Sequence, residues 1–308
     1  MRENDGLPVA LQSGDVFGEI KTEIYTGTYH RLISAHPMSL QTSEQRYRLG
    51  FIGGGKLAGS VMRGLVRAKF CGGAEILVHE PFEATRTALR DELGIAIASG
   101  NDEIAEKADV ILIGVKPGVV LDIVAGVANA IENKLVISLA AGVRVASMEE
   151  IAKARFMRAM TNTPAAVCQA ATAIAPGTRT LADDMTRARE IFSAIGFATE
   201  VKEDQIDAVT ALAGSGPAFV YTVIEALAEG GTSCGLAAEA SLGLATQTVR
   251  GAAQLALESG LSPEELRRMV ITPGGTTAAG LAVMEKEGTA NGLRLAVEAA
   301  AARGRELG

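Results

Sequence analysis

The chain has 308 residues, more than one small domain needs and enough for two. It is 48% hydrophobic but only 4% aromatic, with no Trp and 35 Gly, so we expect a core of Ala, Val, Leu and Ile with close backbone approach. The net charge of -7 argues against nucleic acid and membrane surfaces as partners, and no uninterrupted apolar run reaches the ~18 residues of a membrane helix.

Residues 1–47 differ from the rest of the chain because they are polar, mixed in charge and without clear periodicity. They lack the apolar core of a signal peptide, and they carry too many acids for a mitochondrial presequence. We therefore predict a disordered, removable tail, or an upstream extension with the functional start near Met38. A folded regulatory arm is the alternative.

The first regular pattern is a strand, a glycine turn and a helix. The strand is predicted at Leu49–Ile52, and the helix runs to about Ala68. In the dinucleotide fingerprint, Gly53 permits the tight turn, Gly55 lets a pyrophosphate approach the backbone, and Ala58 lets the helix pack on the strand. The helix N-terminus then offers N–H groups to phosphate. A plain glycine turn of an α/β protein is the alternative.

A second strand, predicted at Ile76–His79, ends in Glu80-Pro81. An acid at this distance from the glycine turn often binds the ribose 2′-OH and favours NAD. Arg86 lies near enough in sequence to compensate for a 2′-phosphate, so the preference between NAD and NADP stays open. An exposed loop acid before Pro81 is the alternative for Glu80.

Further strands complete a doubly wound α/β sheet, the fold class predicted for residues 48–203. They are predicted at Ile95–Ala98, Asp109–Val115, Leu135–Leu139, Phe156–Met160, Thr172–Ala175 and Phe197–Val201. Ser99–Asp102 is predicted to cap a helix. The strand Asp109–Val115 is nearly all apolar and ends at Lys116-Pro117, where ligands bind in such sheets. Small residues at Ala140–Gly142 leave room for a flat ring.

Only helices are predicted over residues 204–308, the second domain. They cover Asp204–Ala213, a stretch from Pro217 to Thr232 after the interruption Gly214–Gly216, Ala237–Glu258, Pro263 to about Ile271 after a capping box at Ser262, and Asn291–Glu306. The apolar stretch Ala237–Leu257 is hard to bury in a domain of this size. We therefore expect these helices to pack between subunits.

Two residue types limit the chemistry. The three histidines are His30, His36 and His79, so a second-half domain has no histidine of its own for acid–base work. The three cysteines show no metal-like spacing and are predicted to be reduced thiols of a cytoplasmic protein without a metal site: Cys71, Cys168 and Cys234.

The segment Thr272–Thr277 reads Thr-Pro-Gly-Gly-Thr-Thr between two helical patterns. Such a turn exposes several backbone N–H groups around one point and suits a small anion. Together with the glycine turn, it predicts a redox enzyme that holds a small carboxylate beside a dinucleotide. Helix N-capping is the alternative role of Thr276 and Thr277.

Taken together, residues 48–307 resemble the pyrroline-5-carboxylate reductase family. The resemblance is carried by Gly50–Gly55, Val115–Pro117, Ser138–Gly142, Asn162–Pro164, Asp207–Ala218 and Thr272–Thr277. It implies a Rossmann domain and a helical domain intertwined as a dimer, often in a decamer of five dimers. It also implies reduction of the cyclic imine 1-pyrroline-5-carboxylate to L-proline, the last step of proline biosynthesis, with NADPH as cofactor and NADH as the alternative.

The fingerprint and the resemblance together assign the site residues. Cofactor contacts are expected at Gly53, Gly54, Gly55, Lys56, Leu57, Ala58, Glu80, Asn101, Val115, Lys116, Pro117 and Ala141. Substrate contacts are expected at Glu203, Thr272, Gly274, Gly275, Thr276 and Thr277, and the resemblance gives the Thr277 hydroxyl a hydrogen bond to the ring nitrogen. The chain departs from common members at Gly54 (Ala is frequent), Lys56 (Asn or Gln) and Thr272 (Ser).

The expected chemistry needs few special groups, because a protonated imine is already electrophilic and positioning is the main demand. Two other functions fit the same architecture. One is a reductase of small β-hydroxy acids or other imines, which usually carries a catalytic Lys in a Gly-rich helix. The other is a non-catalytic dinucleotide-binding regulator.

Overall fold

The structure, a computed structural model, describes residues 45–307. The extension predicted for residues 1–47 therefore lies outside the described residues up to residue 44. Its predicted end is slightly too late, because the first strand already begins at Tyr47.

Eight strands form one sheet in the first half of the chain. They are β1 Tyr47–Ile52, β2 Ile76–His79, β3 Ala96–Ile97, β4 Ala108–Ile113, β5 Leu135–Ser138, β6 Arg155–Met160, β7 Ala170–Pro176 and β8 Gly196–Glu200. The order across the sheet is β3-β2-β1-β4-β5-β6-β7-β8. All neighbours are parallel except β6 and β7, which are antiparallel. The predicted strands are all present at their predicted places.

Helices cover both faces of this sheet. They are α1 Lys56–Arg67, α2 Glu83–Leu93, α3 Asn101–Lys107, α4 Val120–Val127, α5 Val145–Glu149 and α6 Ala182–Ser193. Neighbouring residues of β1 lie on opposite faces of the sheet. Phe51 packs in one cluster with Leu65 and Phe192, and Ile52 packs in another with Phe156. Burial on both faces explains why the strands are almost continuously apolar and confirms the doubly wound architecture.

The second half is helical from residue 203 onward. After a 3₁₀ turn at Glu203–Gln205, the helices are α7 Ile206–Val209, α8 Gly216–Ser233, α9 Ala238–Glu258, α10 Pro263–Met269, α11 Thr276–Lys286 and α12 Thr289–Leu307. The capping box predicted at Ser262 is present, since its hydroxyl accepts the Glu265 N–H at 3.3 Å.

The interruption predicted at Gly214–Gly216 is a π-helical turn rather than a break. It spans Thr210–Gly214, and the Ser215 N–H bonds the Thr210 carbonyl at 2.9 Å. The chain therefore stays helical from Glu203 to Ser233. This stretch is the one candidate membrane span within residues 45–307, with a mean hydropathy of 1.3 and 6% of its apolar window buried. This stretch is a candidate by length and composition alone. Its apolar residues do not form one uninterrupted run.

Large apolar side chains are exposed on the helices of the second half. Leu242 is 53% exposed and Leu257 75%, both on α9, and Leu227 and Tyr221 of α8 are at least half exposed. A surface of this kind on a soluble monomer usually marks an interaction site. This is the surface that the sequence predicts to pack between subunits.

Candidate active site

The glycine turn joins β1 to α1 with an open space at its end. Gly53 has a φ of +96°, and a Cβ there would lie 2.7 Å from Val115 Cγ1, so only glycine fits without strain. Gly55 is the N-cap of α1 with an ordinary φ of -62°. No described atom lies within 4 Å of a Cβ built on Gly55. The backbone N–H groups at the start of α1 therefore face an open space that suits a phosphate.

A cavity of about 490 Å³ lies beside this turn, at the carboxyl ends of β1, β2 and β4. Predicted cofactor residues line it: Gly53, Gly55, Glu80, Asn101, Val115 and Lys116. A neighbouring cavity of about 470 Å³ is lined by Gly54, Gly55 and Lys56 together with Arg63 and residues of α2. The fold thus brings together, at one edge of the sheet, residues that lie far apart in the sequence.

Glu80 is buried under the glycine turn, with 6% of its surface exposed. Its Oε2 accepts the Gly54 N–H at 2.8 Å, and its Oε1 accepts the Phe82 N–H at 3.0 Å. The alternative that Glu80 is an exposed loop acid is therefore wrong. Arg86, on α2, donates to the Pro81 carbonyl at 3.0 Å and therefore lies next to the segment that joins β2 to α2.

Asn101 lines the cavity, and hydrogen bonds at Asn101 and at the nearby Ser99 fix the start of α3. The His79 Nδ1 donates to the Asn101 Oδ1 at 2.6 Å. Ser99, two residues before Asn101, is fixed by Glu103, whose Oε2 accepts both the N–H and the hydroxyl of Ser99 at 2.8 Å. The Ser99–Asp102 cap is thus wrong in detail: Gly100 is the N-cap, and the acid of the first turn reaches back instead. Hydrogen bonds from Lys107 and Ser99 lower the pKa of Glu103 to about 2.

Four predicted cofactor residues, Leu57, Ala58, Pro117 and Ala141, line neither of these two cavities. Ala58 is buried where α1 meets Gly114, and a Cβ on Gly114 would lie 2.6 Å from the Ala58 Cβ. Leu57 packs against the core on the α1 side, and Pro117 begins a 3₁₀ turn. Ala141 packs against the cluster that contains Met160 and Ile206.

Glu203 stands where the sheet domain passes into the helices. Its Oε1 accepts the Val145 N–H at 2.7 Å and an Arg158 Nη1 bond at 3.3 Å. Glu203 lines a cavity of about 190 Å³ with Gly142, Arg144, Arg158, Asp204, Asp207 and Arg305. Gly142 follows Ala141, so this cavity lies beside a loop assigned to the cofactor. Arg158 was not predicted as a site residue, although a charge between the apolar residues Met157 and Ala159 was a signal.

The segment Thr272–Thr277 forms a tight turn into α11. The Gly275 N–H bonds the Thr272 carbonyl at 2.9 Å, and Gly274 has a φ of +70°, as the third residue of a type II turn with Pro273 second requires. Gly275 is the N-cap of α11, and no side-chain hydrogen bond caps it within the described residues. The N-capping alternative for the two threonines is therefore wrong.

The turn does not share a cavity with the rest of the predicted site. Within the part of the chain that the structure describes, none of residues 272–277 lines the cavities at the glycine turn or at Glu203. Within one chain, the segment Thr272–Thr277 is therefore separate from the cavities at the glycine turn and at Glu203.

Comparison with known proteins explains both halves. Residues 48–142 match the family model "NADP oxidoreductase coenzyme F420-dependent", and residues 203–307 match "Pyrroline-5-carboxylate reductase dimerisation". A pyrroline-5-carboxylate reductase of Methanosarcina acetivorans is 40% identical over 267 residues, covering 86% of this chain and 99% of the relative. The chain belongs to the pyrroline-5-carboxylate reductase family. It is therefore an NAD(P)H-dependent oxidoreductase, which decides against a non-catalytic regulator.

Other pyrroline-5-carboxylate reductases match this chain over a similar share of its length. The Glycine max pyrroline-5-carboxylate reductase is 40% identical over 85% of this chain and 97% of its own length. The Coxiella burnetii structure has a TM-score of 0.78 and 34% identity, covering 85% of this chain and 99% of that one. The Plasmodium falciparum structure, solved with NADP bound, has a TM-score of 0.78 and 28% identity, covering 86% of this chain and 99% of that one. The match to a dimerisation domain supports self-association through the helical half.

Proposed function

We propose that this protein reduces 1-pyrroline-5-carboxylate to L-proline by hydride transfer from NAD(P)H, the last step of proline biosynthesis. The observation that carries the proposal is the open glycine turn at the N-terminus of α1 in a chain of this family. A dinucleotide needs that space for its pyrophosphate. The reaction of the family needs little more than a held cofactor and a held imine.

The cofactor end is assigned to the cavity beside Gly55. The backbone N–H groups at the start of α1 would hold the pyrophosphate, and Lys56 adds a positive charge next to them. Asn101, Val115 and Lys116 line the neighbouring cavity of about 490 Å³, which Gly55 also lines. NAD(P)H supplies the hydride when bound, and these residues fix its place. We propose NADPH as the preferred form, with NADH as the alternative.

The substrate end is assigned to Glu203 and the segment Thr272–Thr277. The backbone N–H groups of Thr276 and Thr277 lie in the first turn of α11 and suit the substrate carboxylate. The Thr277 hydroxyl is not used as a helix cap and is available to the ring nitrogen. Its bond would orient the ring for hydride addition.

We propose that the segment 272–277 completes the site of a partner subunit. The support is that this segment lies on a separate surface from the glycine turn within one chain, and that the intervening helices expose apolar side chains such as Leu242 and Leu257. Association of two chains would cover those side chains and bring the two ends together. A dimer is the smallest such assembly, and a decamer of five dimers is the larger form that we propose.

Hydride addition balances without a further catalyst. A C–H bond forms at the imine carbon, the π electrons of the C=N⁺ bond become a lone pair on nitrogen, and the cofactor becomes oxidised NAD(P)⁺. The amine then takes a proton from water to give the ammonium form of proline. We place the reaction in the cytoplasm, which the three free cysteines support.

The test is the loss of NADPH absorbance, and in parallel of NADH absorbance, with purified protein and 1-pyrroline-5-carboxylate. We expect substrate-dependent oxidation and a stoichiometric yield of proline. The matched control is Gly55→Val, which places a side chain in the space at the helix N-terminus. A folded oligomer that binds nucleotide but oxidises neither cofactor would contradict the proposal and point to another imine or keto acid.

A further inference from the structure

Arg158 is a fully buried charge inside an apolar strand. Its neighbours in β6, Met157 and Ala159, are buried in the core, and Arg158 itself is 4% exposed. Removing a guanidinium from water is unfavourable unless good partners replace the water. The position of Arg158 therefore calls for a specific reason.

Most of the hydrogen-bonding capacity of Arg158 is unused. Its Nη1 donates to Glu203, while Nε and Nη2 are buried and have no partner within residues 45–307. Unsatisfied buried donors are destabilising, and an apolar side chain of similar length would avoid them. Stability alone does not explain an arginine here, so its contribution must lie in the one group that it holds.

That group is the Oε1 atom of Glu203. It is held from two directions, by the Val145 N–H at 2.7 Å and by Arg158 at 3.3 Å. The Oε2 atom makes no hydrogen bond to any residue that the structure describes, and the side chain is 28% exposed. Glu203 thus has one anchored oxygen and one oxygen available beside the cavity that Gly142 lines.

We propose that Arg158 is a positioning residue that fixes Glu203 so that its free oxygen presents a negative charge to the protonated nitrogen of the bound imine. The inference rests on the proposed function and adds a residue to it. Arg158 acts through Glu203 and does not touch the substrate. The Thr277 hydroxyl orients the ring, and Glu203 supplies the charge that favours the cationic form.

The chemistry gives this role a kinetic signature. The nitrogen carries a full positive charge in the bound substrate and loses it as the hydride adds. The attraction to Glu203 is therefore stronger in the ground state than in the transition state. Losing it therefore raises KM for the imine and does not lower kcat.

The experiment compares Arg158→Met, Glu203→Gln and the double variant with the wild-type enzyme. We expect each single variant to raise KM for the imine about tenfold, with kcat within about twofold and the Kd for NADPH unchanged. The double variant should match Glu203→Gln, because Arg158 acts through Glu203. Arg158→Lys should recover part of the loss, and it serves as the test if Arg158→Met does not fold.

The matched control is the exposed pair Arg189 and Glu200, 2.8 Å apart, in the same domain. Arg189→Met with Glu200→Gln should leave KM and kcat unchanged. Effects of Arg158→Met and Glu203→Gln that add, a fall in kcat without a rise in KM, or normal kinetics of Arg158→Met would each overturn the inference. A wild-type enzyme inert toward the imine would instead overturn the proposed function, so the two failures are distinguishable.

Discussion

The buried carboxylate of Glu80 accepts the N–H of Gly54 at 2.8 Å. This bond ties the end of β2 to the middle of the glycine turn, and the other oxygen of Glu80 ties the turn to Phe82. Both oxygens are therefore engaged before any cofactor arrives. Glu80 acts on the shape of the turn that both NADH and NADPH must use.

Glu80→Gln should accordingly weaken both cofactors together. The amide has one acceptor oxygen for two backbone N–H groups, so one buried donor loses its partner, at a cost of about 1–3 kcal/mol of unfolding free energy. We expect kcat/KM to fall for NADH and NADPH alike, with their ratio changing less than about threefold. Steady-state kinetics with both cofactors measures this. A selective fall of kcat/KM for NADH with a rise for NADPH would instead show that Glu80 contacts the ribose and discriminates between the two cofactors.

Gly55→Val should strongly weaken cofactor binding without disturbing the fold. Gly55 has a φ of -62° that any residue adopts, and its Cβ would meet no described atom within 4 Å. The new side chain would fill the phosphate space, and we expect the Kd for NADPH to rise about a hundredfold, near 3 kcal/mol. Fluorescence titration measures the Kd, and thermal unfolding measures the fold.

Gly53→Ala is the contrasting variant. Its φ of +96° and the 2.7 Å approach to Val115 make a side chain strained there, and we expect a loss of about 1–3 kcal/mol of unfolding free energy. Equal unfolding midpoints for the two glycine variants would contradict the distinction between an open and a crowded glycine.

Thr277→Ala should lower kcat/KM by about ten- to a thousandfold, because it removes the hydroxyl assigned to the ring nitrogen. Stability should not change, since this hydroxyl does not cap α11. The matched control is Thr186→Ala on α6, whose exposed hydroxyl bonds its own helix at 3.2 Å. An unchanged kcat/KM would remove Thr277 from the mechanism, and a large drop in the unfolding midpoint would give it a structural role.

Two inactive variants should restore activity when they are mixed. If Thr277 serves the cofactor site of a partner, co-expressed Thr277→Ala and Gly55→Val chains form some sites with an intact turn and an intact loop. Random pairing gives about a quarter of wild-type activity. Co-expression with two affinity tags and measurement of NADPH oxidation tests this. No recovery in tagged hetero-oligomers would place both halves of the site in one chain.

The acid stability of the loop before α3 depends on Glu103. Hydrogen bonds from Lys107 and Ser99 lower its pKa from 4.5 to about 2, so the folded state favours the ionised form. The stabilisation is present above pH 4.5 and is lost as the pH falls toward 2. Glu103→Gln should therefore show a flatter fall of unfolding free energy over this range than wild type, measured by urea titration at several pH values. Parallel curves would refute it.

The strands were predictable because their signal is local. Ile76–His79 is a largely apolar run that is followed by an acid and a proline. The strand β2 begins at Ile76 and ends at His79. The pairing of Glu203 with Arg158 was not predictable, because it joins residues 45 positions apart through the packing of two domains. The hydrogen bond of Glu80 to Gly54 spans 26 positions and depends on a side-chain rotamer that no periodicity encodes.

The helix boundaries show a different limit. The residues Gly214–Gly216 favour an interruption by their type, yet the chain stays helical by widening to a π turn at Thr210–Gly214. The Asn162 side chain holds this turn, since its Nδ2 donates to the Ala213 carbonyl at 3.0 Å. Local propensity thus predicts an irregularity at this place, and tertiary contacts decide its form.

The exposed leucines of α9 have a consequence for how the chain reaches its folded state. If a second chain covers Leu242 and Leu257, which are both more than half exposed, the free energy of folding includes a term that depends on the protein concentration. The unfolding midpoint should rise with protein concentration by mass action. At high dilution, the helical half loses its stabilisation before the sheet domain does.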